Sequence, residues 1–220
     1  MEDESSLRER LIDVGVELVT TEGSASLGLR EIARRAGVSH GAPRRYFPTH
    51  HALLSAIARR GFEDLGARFA AAIADTASPR AQLRTIARVY VGYALEYRGM
   101  FELMFRHDLL DSDKHMSDGP RLREATLPLF ERVVVLVAQC RAERDTAHAD
   151  GPAATAPPPP VTAAALWASL HGIAQLWAWG SLRLALDAEP TGGAPRGDQV
   201  DQVDQLVAAA LDAHLGPVDS

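Results

Sequence analysis

Apolar residues recur at three- and four-residue intervals through most of the chain, which predicts helices and leaves no segment with the alternation of a strand. Leu7, Leu11, Val14 and Leu18 mark a first helix, opened by a capping box of Ser6 and Glu9 and ended at Glu22-Gly23. Shorter helices are expected over 29–36, closed by Gly37, and over 40–46, broken by Phe47-Pro48. Longer ones follow from Thr49 to about 76 and from Ser78-Pro79 to about 97, with a short piece over 99–105. The polar run 106–120 reads as loop, and 121–144 as a long helix carrying Leu122, Leu129, Val133, Leu136 and Val137. Residues 146–160, Ala/Pro-rich and ending in four prolines, read as a flexible or polyproline linker. A helix over 161–186, a Gly/Pro-rich stretch over 190–197 and a last helix over 199–215 complete the pattern. Val200, Val203, Val207 and Ala210 form the stripe of that last helix. The expected fold class is all-α.

Charge sharpens this picture. The chain of 220 residues has a net charge of −6, which by itself argues against a nucleic-acid partner. Between Leu29 and Arg60, however, seven arginines (30, 34, 35, 44, 45, 59 and 60) face one acid, Glu31. A basic island on an acidic body is the electrostatic footprint of a polyanion-binding surface. Cys140 is the only cysteine, so neither an internal disulfide nor a Cys-based zinc cluster is available. The acidic start carries no secretory signal pattern, and no apolar run reaches the ~20 residues of a membrane span. A cytoplasmic protein with no membrane partner is expected.

The most informative segment is LREIARRAGVSHGAPRRYF, Leu29 to Phe47. Ile32 and Ala33 face a core, Gly37 supplies the left-handed residue ending one helix, and Ser39 is placed to cap the next. Two helices joined by so tight a turn make a helix-turn-helix, which offers its second helix to the major groove. Pro43 should cost the first intrahelical bond and distort that second helix.

At these residues the chain resembles the TetR family of transcriptional regulators, in Ile-Ala, Ala-Gly-Val-Ser, Gly and Tyr-Phe and in the helix that precedes them. The resemblance implies a three-helix DNA-binding domain over 1–48. A larger helical ligand-binding and dimerisation domain follows over 49–220, with the helix from Thr49 as connector. It places Arg30, Ser39, His40, Gly41, Ala42, Arg44, Arg45, Tyr46 and His50 at double-stranded operator DNA. The sequence departs from the family at Gly28, where Ser or Thr commonly caps, at Arg44, where a tyrosine usually stands, and at His50, where a lysine does.

Beyond the motif, 94–105 and 167–180 are similar to a subgroup carrying His-Gly in the penultimate long helix, here His171-Gly172. Tyr97, Phe101, Met104, Phe105, Phe130 and Trp167 offer an apolar lining for a small-molecule effector, with His171 and Gln175 as its polar handles. The resemblance further implies a homodimer through the last two helices, repression as the mode of control, and no cofactor. The alternative is a metal-dependent or other helical enzyme using His107, Asp108, Asp111, Asp113, His115 and Asp118. Met116 and Leu122 occupy the glycine and glutamate positions of an EF-hand, and no His-Glu-x-x-His or phosphate loop is present, so no metal site is expected there.

Overall fold

A computed structural model describes residues 2–106, 122–147, 157–186 and 196–217. The His/Asp segment 107–118 and the part of the Ala/Pro stretch over 148–156 lie outside the described residues. Among the described residues there are helices and no strand. The helices are α1 (Glu2–Glu22), α2 (Leu29–Arg35), α3 (Pro43–Tyr46), α4 (His50–Ile73), α5 (Pro79–Glu96) and α6 (Arg98–Met104). They continue as α7 (Leu122–Ala147), α8 (Pro159–Ala178), α9 (Ser181–Ala185) and α10 (Arg196–Leu215). The chain divides into two compact units, Met1–Ala67 with Glu96–Pro128, and Arg68–Leu95 with Leu129–Ser220. The first unit therefore reaches past residue 48 into α4 and takes in α6.

In the first unit α1 buries Leu11, Ile12, Leu18 and Val19, one stripe at helical spacing. Each such side chain contributes roughly 1.5–3 kcal/mol by leaving water. Gly15 lies in the same stripe because a β-carbon there would meet Ile57 Cδ1 at 2.3 Å. Ile32 and Ala33 of α2, and Leu53, Leu54, Ile57, Ala58, Phe62 and Leu65 of α4, complete this core. Thr49 caps α4, its Oγ1 accepting the Ala52 N–H at 3.1 Å. Helix α6 packs on α1 at Gly99, where a β-carbon would stand 2.4 Å from the Val19 carbonyl oxygen.

In the second unit α5 begins at Pro79, with Ser78 Oγ accepting the Ala81 N–H at 3.1 Å. It buries Leu83, Ile86, Ala87, Tyr90, Val91, Tyr93 and Ala94. Helix α8 buries Ala163, Leu166, Leu170, Ala174 and Trp177, and α10 packs on it with Val207, Leu211 and Leu215 buried. Arg88 pairs with Asp204 and Arg80 with Asp212. Both partners of each pair advance by eight residues in opposite directions, so the two pairs fix an antiparallel register between α5 and α10. Arg144 of α7 donates to the Leu215 carbonyl at 2.7 Å and so caps the end of α10.

Four sequence expectations are corrected. Helix α1 starts at Glu2, upstream of Ser6, because the acidic run Glu2-Asp3-Glu4 suits a helix N-terminus. The Glu9 carboxylate is accordingly spent on Arg8 and Arg60 rather than on a capping box. Pro159 and Pro160 belong to α8, not to a linker: Pro158 is its N-cap and proline suits a first turn, where the N–H is unsatisfied anyway. The helix expected over 161–186 is two helices, broken at Gly180, whose φ of +82° is left-handed. The last helix starts at Arg196, inside the stretch read as Gly/Pro-rich loop.

Candidate DNA-binding surface and sensor residues

The turn between α2 and α3 follows from Gly37. With φ +68°, it lets Gly37 N–H reach the Arg34 carbonyl at 3.2 Å and Val38 N–H reach the Ala33 carbonyl at 3.0 Å, the paired bonds of a Schellman stop. The chain then enters α3 through three-residue bonds. Ala42 N–H donates to Ser39 O at 3.0 Å, Arg44 to Gly41 O at 3.3 Å and Arg45 to Ala42 O at 3.2 Å. Only Phe47 N–H, to Pro43 O at 2.8 Å, makes a four-residue bond. Pro43 has no N–H to give, so the second helix begins as a tightened turn and is four residues long. Its N-cap is Ala42, without a side-chain cap bond; Ser39, placed as the cap by the sequence, contributes its carbonyl to the turn instead.

Ser39, His40, Gly41, Arg44 and Arg45 are exposed, as is Arg30 at the start of α2; Ala42 and Tyr46 are half-buried. Pro43 and Phe47 turn inward, and the Arg8 guanidinium lies 5.4 Å over the Phe47 ring. His50 is directed inward too: its Nε2–H donates to the Leu27 carbonyl at 2.6 Å, tying the start of α4 to the entry of α2.

The basic island is smaller in space than in sequence. Arg34 and Arg35 both donate to Glu31, and Arg35 also to Glu22. These hydrogen bonds hold the Glu31 carboxyl down at about 2. Arg60 pairs with Glu9 and, at 3.9 Å, with Asp13, while Arg59 lies 3.8 Å from Glu63. Arg30, Arg44 and Arg45 form no ion pair among the described residues. They are the arginines of the island that stay open to a polyanion.

The eight residues expected to line an effector site divide between the units. Tyr97, Phe101, Met104 and Phe105 belong to the first, where Phe105 stands edge-on to Phe62 at 5.4 Å and 4.7 Å from Phe101. Phe101 and Met104 are buried. Phe130, Trp167, His171 and Gln175 belong to the second. There Trp167 Nε1–H donates to the Tyr90 hydroxyl oxygen at 2.9 Å. The Tyr90 hydroxyl is in turn hydrogen-bonded to His171 Nδ1 at 2.8 Å. Burial pushes the Tyr90 hydroxyl well above, and His171 below, their ordinary ranges. The sequence offers Tyr90 as one more aromatic side chain available to line a cavity, and nothing in it signals the polar tie to Trp167 and His171. Among the described residues no cluster of His, Cys, Asp and Glu is arranged to hold a metal.

Comparison with known proteins bears on both units. Residues 11–57 match the family described as bacterial regulatory proteins, tetR family, and residues 83–192 match the tetracyclin repressor-like C-terminal domain. An uncharacterized HTH-type transcriptional regulator of Xanthobacter autotrophicus is 34% identical over 94 residues, 42% of this chain and 46% of that protein. The chain thus spans less than half the length of the curated relatives it matches. A Rhodococcus sp. RHA1 protein of unknown function is 31% identical with a TM-score of 0.66, covering 95% of this chain and 93% of that one. AibR, solved with isovaleryl coenzyme A and operator DNA, is 14% identical with a TM-score of 0.59, covering 96% of this chain and all of its own, and so shares the fold. The chain belongs to the TetR family, DNA-binding transcriptional regulators of helix-turn-helix type and not enzymes.

Proposed function

We propose that the protein is a homodimeric cytoplasmic repressor, released from a palindromic operator by a small apolar ligand. The observation that carries the reading is the set of open cations, Arg30, Arg44 and Arg45, on an exposed helix-turn-helix whose other arginines are paired. Ser39, His40, Gly41 and Ala42 bring the backbone to the groove, Tyr46 adds a hydroxyl, and His50 holds the geometry from behind. One helix of four residues reads few bases, so useful specificity calls for a second copy and two half-sites.

Support for the dimer comes from α8 and α9. Val161, Leu176, Trp179, Leu184 and Leu186, on or flanking these two helices, are exposed large apolar residues. Such a set suits a four-helix dimer seam built with α10. Support for a small-molecule effector comes from the buried aromatic side chains within each unit, and from AibR, whose structure contains isovaleryl coenzyme A and operator DNA. Helix α4, which passes from the first unit to the second after Ala67, is the connector through which ligand and DNA affinities are linked. A ligand acts there only through unequal affinity for the two states. No described helix is long and apolar enough to cross a membrane.

The test is Arg44→Ala and Arg45→Ala, titrated against selected and scrambled duplexes at several salt concentrations. An arginine reading guanine costs ~1–3 kcal/mol on matched DNA alone. One contacting phosphate costs the same on every sequence and lowers the salt slope by about one. Wild-type affinity from both variants would refute DNA recognition by α3.

A further inference from the structure

We infer that Glu31 limits non-specific DNA binding by withholding Arg34 and Arg35 from the phosphate backbone, and is thereby a specificity-determining residue. Glu31 lies three residues after the N-cap Gly28 of α2, the position from which a carboxylate ordinarily reaches back to complete a capping box. Gly28 has no side chain to reciprocate, and its N–H already donates to Ser26 O at 2.8 Å. The carboxylate turns forward instead. Oε2 accepts Arg34 Nε–H at 2.9 Å, and Oε1 accepts Arg34 Nη2–H at 2.6 Å and Arg35 Nε–H at 2.8 Å.

Arg34 is thus held by two parallel bonds, the fork geometry with which a guanidinium would otherwise clasp a phosphate. Arg35 is held from both sides, by Glu31 and by Glu22 at the end of α1. In a helix-turn-helix the first helix crosses the DNA backbone, and the Arg34 side chain is 65% exposed. Freed of its partner, that side chain is available to phosphates of any sequence. Because the Glu31 carboxyl is held so low, mild acidification does not release the arginines; only substitution does.

The inference rests on the DNA-binding surface proposed above, and the experiment separates the two. Wild type and Glu31→Gln would be titrated with a mixed-sequence duplex, and with a duplex selected by wild type, over a fourfold range of salt. Each arginine that gains a phosphate steepens the slope of log affinity against log salt by about 0.9. Across that range Glu31→Gln should lose about 3.5-fold more affinity than wild type for one new contact, or about 12-fold more for two. Its preference for the selected duplex should fall. Arg34→Ala added to Glu31→Gln should return the slope toward wild type, whereas Arg34→Ala alone should leave it unchanged. Folded Glu31→Gln with the wild-type slope overturns the inference, as does a shallower slope in Arg34→Ala alone. Loss of affinity in Arg44→Ala and Arg45→Ala would leave the DNA surface standing in either case.

Discussion

Gly99→Ala should destabilise the protein, although the same substitution at Gly92 should stabilise it. At Gly99 the added β-carbon would stand 2.4 Å from the Val19 carbonyl oxygen and 2.9 Å from Gly23 Cα. Both obstacles are backbone at the end of α1, so no side chain can rotate away. The seam between α6 and α1 has to open by about 1 Å to restore ordinary contact, and interiors this close-packed lose a quarter to a half of their local dispersion for a gap of that order. Overpacking of this kind costs ~1–3 kcal/mol, and a backbone obstacle argues for the upper end. Better helix propensity returns at most about 1 kcal/mol, leaving a net loss of about 2 kcal/mol. For a chain of this length that lowers Tm by ~4–8 °C. Gly92, exposed in α5, has nothing within 4 Å of its added β-carbon, so Ala there should gain ~0.4–1 kcal/mol. Thermal unfolding followed by far-UV circular dichroism measures both. Gly99→Ala as stable as wild type would refute the α1–α6 packing on which the first unit is built.

Three further outcomes are expected. His171 has a folded-state pKa below its unfolded value, so its contribution is present in full above about pH 6.5 and is lost as pH falls toward the folded value. Tm should fall between pH 7 and pH 5 by an amount that His171→Gln reduces; identical pH profiles would contradict the burial. Leu184→Asp, at a side chain 78% exposed, should leave the monomer fold intact and turn the proposed dimer into a monomer by light scattering, whereas an unchanged mass would exclude α9 from the seam. Thr49→Ala removes the acceptor for Ala52 N–H and should cost ~1 kcal/mol in urea unfolding; no loss would mean that water replaces the cap.

The helices were legible wherever one face is apolar and the other polar. Leu11, Leu18, Leu136 and Val207 sit on buried stripes that their spacing alone predicts, and Gly37 marks its turn unaided. The break at Gly180 was not legible, because Trp177, Trp179, Leu182 and Leu184 continue the apolar character on both sides of it and no period is interrupted. Charge was misleading for a related reason. Counting within 29–60 finds one acid, but Glu9 and Glu22 arrive from α1 and Glu63 from the next turn of α4, and together with Glu31 they pair four of the seven arginines. The aromatic residues were grouped by kind, which takes no account of the unit each belongs to; the tie between Tyr90 and His171 is a hydrogen bond between residues 81 positions apart and leaves no periodic trace.

The four-residue α3 also has an informational consequence. Four residues of helix rise ~6 Å, a little less than two base-pair steps of ~3.4 Å, so direct contacts from it discriminate about two or three base pairs. Two copies would then specify roughly four to six, a pattern recurring by chance once in about 250 to 4,000 positions. Against ~10⁶ or more competing sites, that leaves hundreds to thousands of exact matches. The remaining bits have to be encoded elsewhere, in the distance between half-sites and in how readily the intervening duplex bends and twists.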